Sequence, residues 1–185
     1  HDGAWSLDVD KTVAALRRSE VDKQPVILLG TAFSFVHLLD HLAEQKLHFD
    51  LPPGSRALET GGYKGRSRTL PKAELHAHFT QFLGIPAAHI VCEYGMSELS
   101  SQAYDRVAAD SADAQRTFHF PPWARVNIIS PETGREVADG ETGLLQVFDL
   151  ANVRSVLAVQ TEDLAVRHGD GFELQGFLQR FPVRA

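Results

Sequence analysis

The sequence predicts an α/β fold: a parallel-containing sheet with flanking helices, followed by a small β-rich meander or barrel subdomain. Three observations carry this expectation. "PVILLGTAF" (25–33) is a short continuous apolar run, and the apolar spacing then changes to three and four residues at Phe35, Leu38, Leu39, Leu42 and Ala43. The same succession recurs over "RALETGG" (56–62), "LPKAELHAHFTQFLGI" (70–85) and "HIVCEYG" (89–95). After Tyr104 the chain turns to short Val-, Ile- and Leu-rich runs separated by "PETG", "DGETG" and "GDG".

Taken in order, Val9, Val13, Ala14 and Leu16 form a helical stripe within Val9–Glu20. The 25–33 run reads as a strand buried on both faces, and the helix after it has Ser34 as its N-cap. Pro71 in the first turn and Gly84 beyond the last bound the 70–85 helix. "RVNIIS", "GLLQVFD", "VLAVQ" and "LAVRH" are the later strands, which puts Asp163 in a turn between the last two. "AADSADAQ" (108–115) reads as a mobile loop. The expected division is an α/β subdomain over 1–116 and a β-rich one over 117–185.

With 185 residues, 43% hydrophobic and 23% charged, the chain has the composition of one ordinary globular core. A net charge of -6 without a run of Lys or Arg excludes the basic footprint of a nucleic-acid binder. No apolar stretch reaches the length of a membrane span. A single cysteine, Cys92, permits no internal disulfide and points to a reducing cytoplasm. The chain starts at His1, which suggests processing or truncation, and "RFPVRA" suggests that more follows.

"ETGGYKGRS" lacks the glycine at Thr60 and the lysine at Arg66 that a phosphate-loop signature needs, and Thr60 also breaks the dinucleotide fingerprint. It retains Gly61 and Gly62, which would let a flat ligand approach the backbone, or would simply make a tight turn. No G-x-S-x-G elbow occurs, and "HAH" (76–78) lacks the i, i+4 spacing of a zincin pair, so its histidines read as surface residues. Cys92 reads as a small core residue, and no His/Cys cluster with zinc spacing is visible.

"EYGMSE" is the densest stretch. Tyr94 offers an aromatic face, Gly95 a close approach, Ser97 a hydroxyl for a phosphate oxygen and Glu98 an oxygen ligand for Mg²⁺. These types suit a nucleotide, and at Asp163 a carboxylate could accept from the vicinal hydroxyls of a ribose.

The order of these motifs, a double glycine after one strand, Y-G-x-[ST]-E after the next and a T-x-D-L stretch later, resembles the adenylate-forming superfamily. "ETGGYKG", "EYGMSEL" and "GDGFELQG" together are most similar to the acyl-protein synthetase family of bacterial bioluminescence. The resemblance implies an ATP- and Mg²⁺-dependent ligase that activates a carboxylic acid, a fatty acid in that family, as acyl-adenylate and passes the acyl group to a thiol. That acceptor would be a protein cysteine or CoA, with acyl-transfer proteins as partners. By motif it assigns Gly61 and Gly62 to the adenine, Tyr94 to stacking on it, Gly95 to a close approach of the cofactor, Ser97 to the phosphate, Glu98 to the metal and Asp163 to the ribose.

The superfamily's phosphate loop ending in Pro-Lys does not occur in these residues, nor does the catalytic lysine of its small C-terminal domain. Where the family has Gly-Arg, this chain has Gly176-Phe177, with Arg180 as the substitute ribose contact. The competing readings are a phenylacetate-type CoA ligase, a non-catalytic nucleotide-binding or assembly module, and a plain flavodoxin-like domain.

Overall fold

The structure, a computed structural model, describes residues 7–61, 70–108 and 115–177. The chain divides into two compact units, His1–Cys92 with Val107–Ala114, and Glu93–Arg106 with Gln115–Ala185. Residues 93–106, which the expected boundary at 116/117 leaves in the first part, group with the second unit.

In the first unit, helix α1 (Val9–Asp22) starts at Asp8, whose carboxylate accepts the Lys11 N–H at 3.0 Å, and buries Leu16. Strand β1 (Ile27–Thr31) runs into helix α2 (Ala32–Glu44) without a loop. The N-cap is therefore Thr31, whose Oγ1 accepts the Ser34 N–H at 3.1 Å; Ser34, the expected cap, lies inside the helix. Ala32 and Phe33, read as the end of a strand, are its first turn, because an N-capping threonine outweighs the apolar run around it.

Strand β2 (Arg56–Thr60) pairs in parallel with β1, from Ile27 opposite Arg56 to Thr31 opposite Thr60. Helix α3 (Lys72–Leu83) lies between β2 and β3 (Ile90–Tyr94) in the chain, and the sheet order is β1-β2-β3-β4, with β4 at Ala103–Tyr104. At the end of that order, β1 is not buried on both faces as expected: Ile27 is 65% and Leu29 71% exposed. The core forms where α2 and α3 lay their apolar stripes on the strands. There Leu39, Leu42, Leu75, Phe79, Leu83 and Ile90 are buried, and Phe35 meets Phe79 edge to face at 4.7 Å.

Helix α3 ends as its sequence requires. Gly84 is left-handed (φ 66) and returns its N–H to the Thr80 carbonyl, and a Cβ added there would lie 3.0 Å from the Asp50 Oδ1. Gly84→Ala is expected to cost about 1–2 kcal/mol, the price of the left-handed conformation for a residue with a Cβ, read as a lower urea midpoint with unchanged slope.

The second unit carries an antiparallel meander, β5 (Ala124–Ile129), β6 (Thr142–Asp149), β7 (Ala158–His168) and β8 (Gly171–Phe177), in the order β5-β6-β7-β8. Ile128, Leu145, Val147, Ala165 and Phe172 fill its core. The runs "VLAVQ" and "LAVRH" belong to one 11-residue strand, β7, so Asp163 sits inside a strand and not in a turn. The polar "QTED" between them imitates a loop. In fact Gln160 pairs with Gln146 on β6 and Asp163 with Phe177 on β8. No helix among the described residues is long and apolar enough to cross a membrane.

Candidate functional site

The site is built on the end of β3 and the loop after it. Alternation along β3 turns Ile90, Cys92 and Tyr94 to the buried side. Tyr94 is 8% exposed, and the rings of Phe172, Phe118 and Phe120 stand edge-on around it at 5.4, 6.2 and 6.3 Å. Its hydroxyl donates to Asp163 Oδ2 at 2.6 Å, joining residues 69 positions apart in the chain. Burial, and then the Asp163 carboxylate, push the Tyr94 phenol well above its ordinary range, so it remains a donor. The Asp163 N–H is in turn taken up by Thr161 Oγ1 at 3.1 Å. Among the described residues nothing donates to Asp163 Oδ1, so the carboxylate is held by one oxygen with the other free to accept.

Beyond Tyr94 the loop turns on a Leu99 N–H to Met96 carbonyl bond of 3.1 Å. Leu99 points inward, while Ser97 and Glu98 are exposed and linked to each other, Ser97 Oγ donating to Glu98 Oε2 at 3.2 Å. The turn thus presents a hydroxyl and a carboxylate side by side, both hard oxygen donors.

What fixes this turn is a residue that the sequence reading did not single out. Asp149, at the end of β6 and fully buried, accepts the Ser100 and Ser101 N–H groups on Oδ2 at 2.9 and 2.8 Å. On Oδ1 it accepts the Ser101 hydroxyl at 2.9 Å and the Ala151 N–H at 3.0 Å. Burial would raise its carboxyl, but these hydrogen bonds, the Ser101 hydroxyl first among them, hold it below the ordinary carboxylate range. Three residues on, Asn152 donates to the Glu98 carbonyl at 2.7 Å and to the Val156 carbonyl at 3.0 Å, and accepts the Ser100 hydroxyl at 2.6 Å. The Trp123 indole N–H closes the set on Ser101 Oγ at 3.0 Å. The available signal was "DLAN", whose Asp closes a strand: an Asp accepting the N–H two residues on is a common local turn, and this one is put to wider use.

Of the residues singled out from sequence, Tyr94, Gly95, Ser97, Glu98 and Asp163 lie in the second unit, where Tyr94 touches Asp163 and Ser97 touches Glu98. At Gly95 a Cβ would come within 3.2 Å of the Gln102 side chain. Gly61 belongs to the first unit, is exposed, and has a left-handed φ of 69 that favours glycine. Gly62, Arg180 and residues 109–114 of the expected loop lie outside the described residues.

One expectation is corrected. His76 is not a surface histidine: it is 6% exposed, and its Nε2 lies 3.1 Å from Glu59 Oε2. Cys92 is buried as expected, but its sulfur stands 3.6 Å from both of those atoms, a His/Cys cluster that spacing along the chain did not reveal.

A model of the family described as acyl-protein synthetase, LuxE, matches residues 2–175. Long-chain-fatty-acid–luciferin-component ligase of Aliivibrio fischeri is 26% identical over 163 residues, which make up 86% of this chain and 41% of that protein. The chain therefore spans about two-fifths of that relative's length. ATP-bound MatB from Rhodopseudomonas palustris has a similar fold at a TM-score of 0.61 and 16% identity, over 93% of this chain and 33% of that one. McyG A-PCP complexed with phenylalanyl-adenylate gives 0.64 at 15% identity, over 92% and 29%. The luciferase-like enzyme from the nonluminescent mealworm Zophobas morio gives 0.60 at 16%, over 95% and 42%. At such identities the likeness is one of fold. Since the family model takes in almost all of these residues, the turn from Tyr94 to Glu98 among them, the chain belongs to the acyl-protein synthetase family, LuxE.

Proposed function

We propose that this chain carries part of the nucleotide-facing side of an enzyme that activates a fatty acid as acyl-adenylate and passes the acyl group to a thiol. The observation that supports this most directly is the Tyr94–Asp163 hydrogen bond of 2.6 Å, together with the exposed Ser97–Glu98 pair three residues further along the loop. An aromatic ring, a carboxylate with one free oxygen, a hydroxyl and a second carboxylate are the groups that a base, a ribose, a phosphate and a hard cation call for.

In this reading Tyr94 and Gly95 line the adenine and the Asp163 carboxylate accepts the ribose hydroxyls; Gly61 and Gly62 are assigned to the adenine, and Arg180 to donating to a ribose oxygen, by the motif resemblance alone. Tyr94 has a second task, holding the Asp163 carboxylate in one orientation by its hydroxyl. Ser97 donates to a phosphate oxygen. The oxygens of Glu98 and Ser97 fit Mg²⁺, which takes oxygen ligands and keeps several waters, and when bound it would neutralise phosphate charge. The fatty-acid carboxylate oxygen attacks the α-phosphorus, the bond to the bridging oxygen breaks, and pyrophosphate leaves. The acceptor thiol then loses its proton and attacks the acyl carbon, releasing AMP. Cys92, 1% exposed, is not suited to be that thiol. A reducing compartment, the cytoplasm, is the setting in which such a thiol stays free.

The test is pyrophosphate release by the full-length protein across a panel of long-chain and aryl acids, with and without CoA. Release with long-chain acids, and acyl transfer to a protein thiol without CoA, is the expected result. A preference for aryl acids with CoA as acceptor would make the chain part of a phenylacetate-type ligase. Absence of any ATP binding would overturn both readings.

A further inference from the structure

We propose that Glu59, His76 and Cys92 form a binding site for a zinc-type divalent ion inside the first unit. Alternation along the strands places them there. Ala57 and Glu59 share the buried side of β2, and Ile90 and Cys92 share that of β3. Helix α3 adds His76 from its buried stripe, beside Leu75 and Phe79. One ligand atom from each of three elements thus converges, all within 4.8 Å of one another and all buried.

The distances between the three ligand atoms fit a shared cation. Glu59 Oε2, His76 Nε2 and Cys92 Sγ form a triangle with sides of 3.1, 3.6 and 3.6 Å. An imidazole nitrogen has one directional position, occupied either by a hydrogen or by a lone pair, so His76 Nε2 can hydrogen-bond to only one of its two neighbours. Hydrogen bonds therefore account for at most two of the three contacts. A point roughly 2 Å from all three atoms exists at the centre of the triangle, close to zinc–nitrogen and zinc–oxygen bond lengths of about 2.0–2.2 Å and slightly short of zinc–sulfur at about 2.3 Å. A single ion there accounts for every side.

The donor set names the class of ion. A thiolate, an imidazole and a carboxylate together suit Zn²⁺ or Co²⁺, whereas Mg²⁺ and Ca²⁺ avoid sulfur. Three protein ligands leave a fourth position for a water or a further oxygen. Since the ligands come from β2, α3 and β3, the ion would tie the helix to both strands and act on stability.

The experiment uses the purified protein without nucleotide. Metal is stripped with a chelator, and Co²⁺, Zn²⁺ or Mg²⁺ is added back. The expected results are one equivalent of Co²⁺ bound, a sulfur-to-cobalt charge-transfer absorption in the near ultraviolet, and a Tm raised by several degrees with Zn²⁺ but not with Mg²⁺. Cys92→Ala, a small change in volume, should fold, lose the absorption and lose the Zn²⁺ effect on Tm. Glu59→Gln should keep the absorption and bind more weakly. If the stripped protein is folded yet shows neither the absorption nor a Zn²⁺-dependent Tm, the site is a hydrogen-bonded cluster and the proposal falls. If the absorption persists in Cys92→Ala, the metal is bound elsewhere and the proposal falls equally.

Discussion

Replacing Asp149 by alanine is expected to lower stability by about 3–5 kcal/mol, because three backbone N–H groups and a hydroxyl lose their acceptor inside the protein at once. Urea unfolding measures the loss. Asparagine at the same position separates charge from shape. Its oxygen can keep the Ser100 and Ser101 N–H groups, while its amide faces the Ala151 N–H and can donate to Ser101 Oγ, whose own hydrogen then loses this acceptor; about 1–2 kcal/mol is expected. The carboxyl of Asp149 lies below its ordinary range in the folded protein, despite burial, through the hydrogen bonds from Ser101, Ala151 and Ser100. Its contribution is therefore complete above the unfolded value of about 3.9 and is lost as the pH falls through the lowered folded value. The acid limb of the wild-type stability curve should be steeper than that of Asp149→Ala.

Glu98→Gln is expected to leave Tm unchanged while reducing acid-dependent pyrophosphate release by the full-length protein about a hundredfold. The side chain is exposed and its contact is with the neighbouring Ser97 hydroxyl, so folding asks little of it. The same variant should need more Mg²⁺ for half-maximal rate. An unchanged rate and metal requirement would remove Glu98 from the chemistry and favour a non-catalytic nucleotide-binding module. The two variants act on one loop, one through its support and the other through what it presents.

The sequence made parts of this legible where a local rule decides the outcome. Helix α3 is bounded by Pro71 and Gly84, both of which act through their own backbone preferences, and observed and expected bounds agree closely. The alternation of strand and helix from Ile27 to Tyr94 follows from period alone. Local rules fail where a distant partner decides. "QTED" imitates a turn because its polarity is visible in the sequence and its β6 and β8 partners are not. Spacing along the chain sets His76 beside His78 two residues away, while its neighbours in space are Glu59 and Cys92, 17 and 16 residues off along the chain. Asp149 is not singled out by the sequence, because nothing near it shows that Ser100 and Ser101, 49 and 48 residues earlier, need an acceptor. Tyr94 and Asp163 each stand in a recognisable stretch, yet the hydrogen bond between them belongs to no motif.

The fastening of residues 98–101 by Asp149 and Asn152 bears on the timing of an entropic cost. Immobilising the backbone of a free loop costs about 1–2 kcal/mol per residue. Here that ordering is completed once, when the strand carrying Asp149 docks, so an arriving ligand meets donors and acceptors whose directions are already set and does not have to supply the ordering from its own affinity.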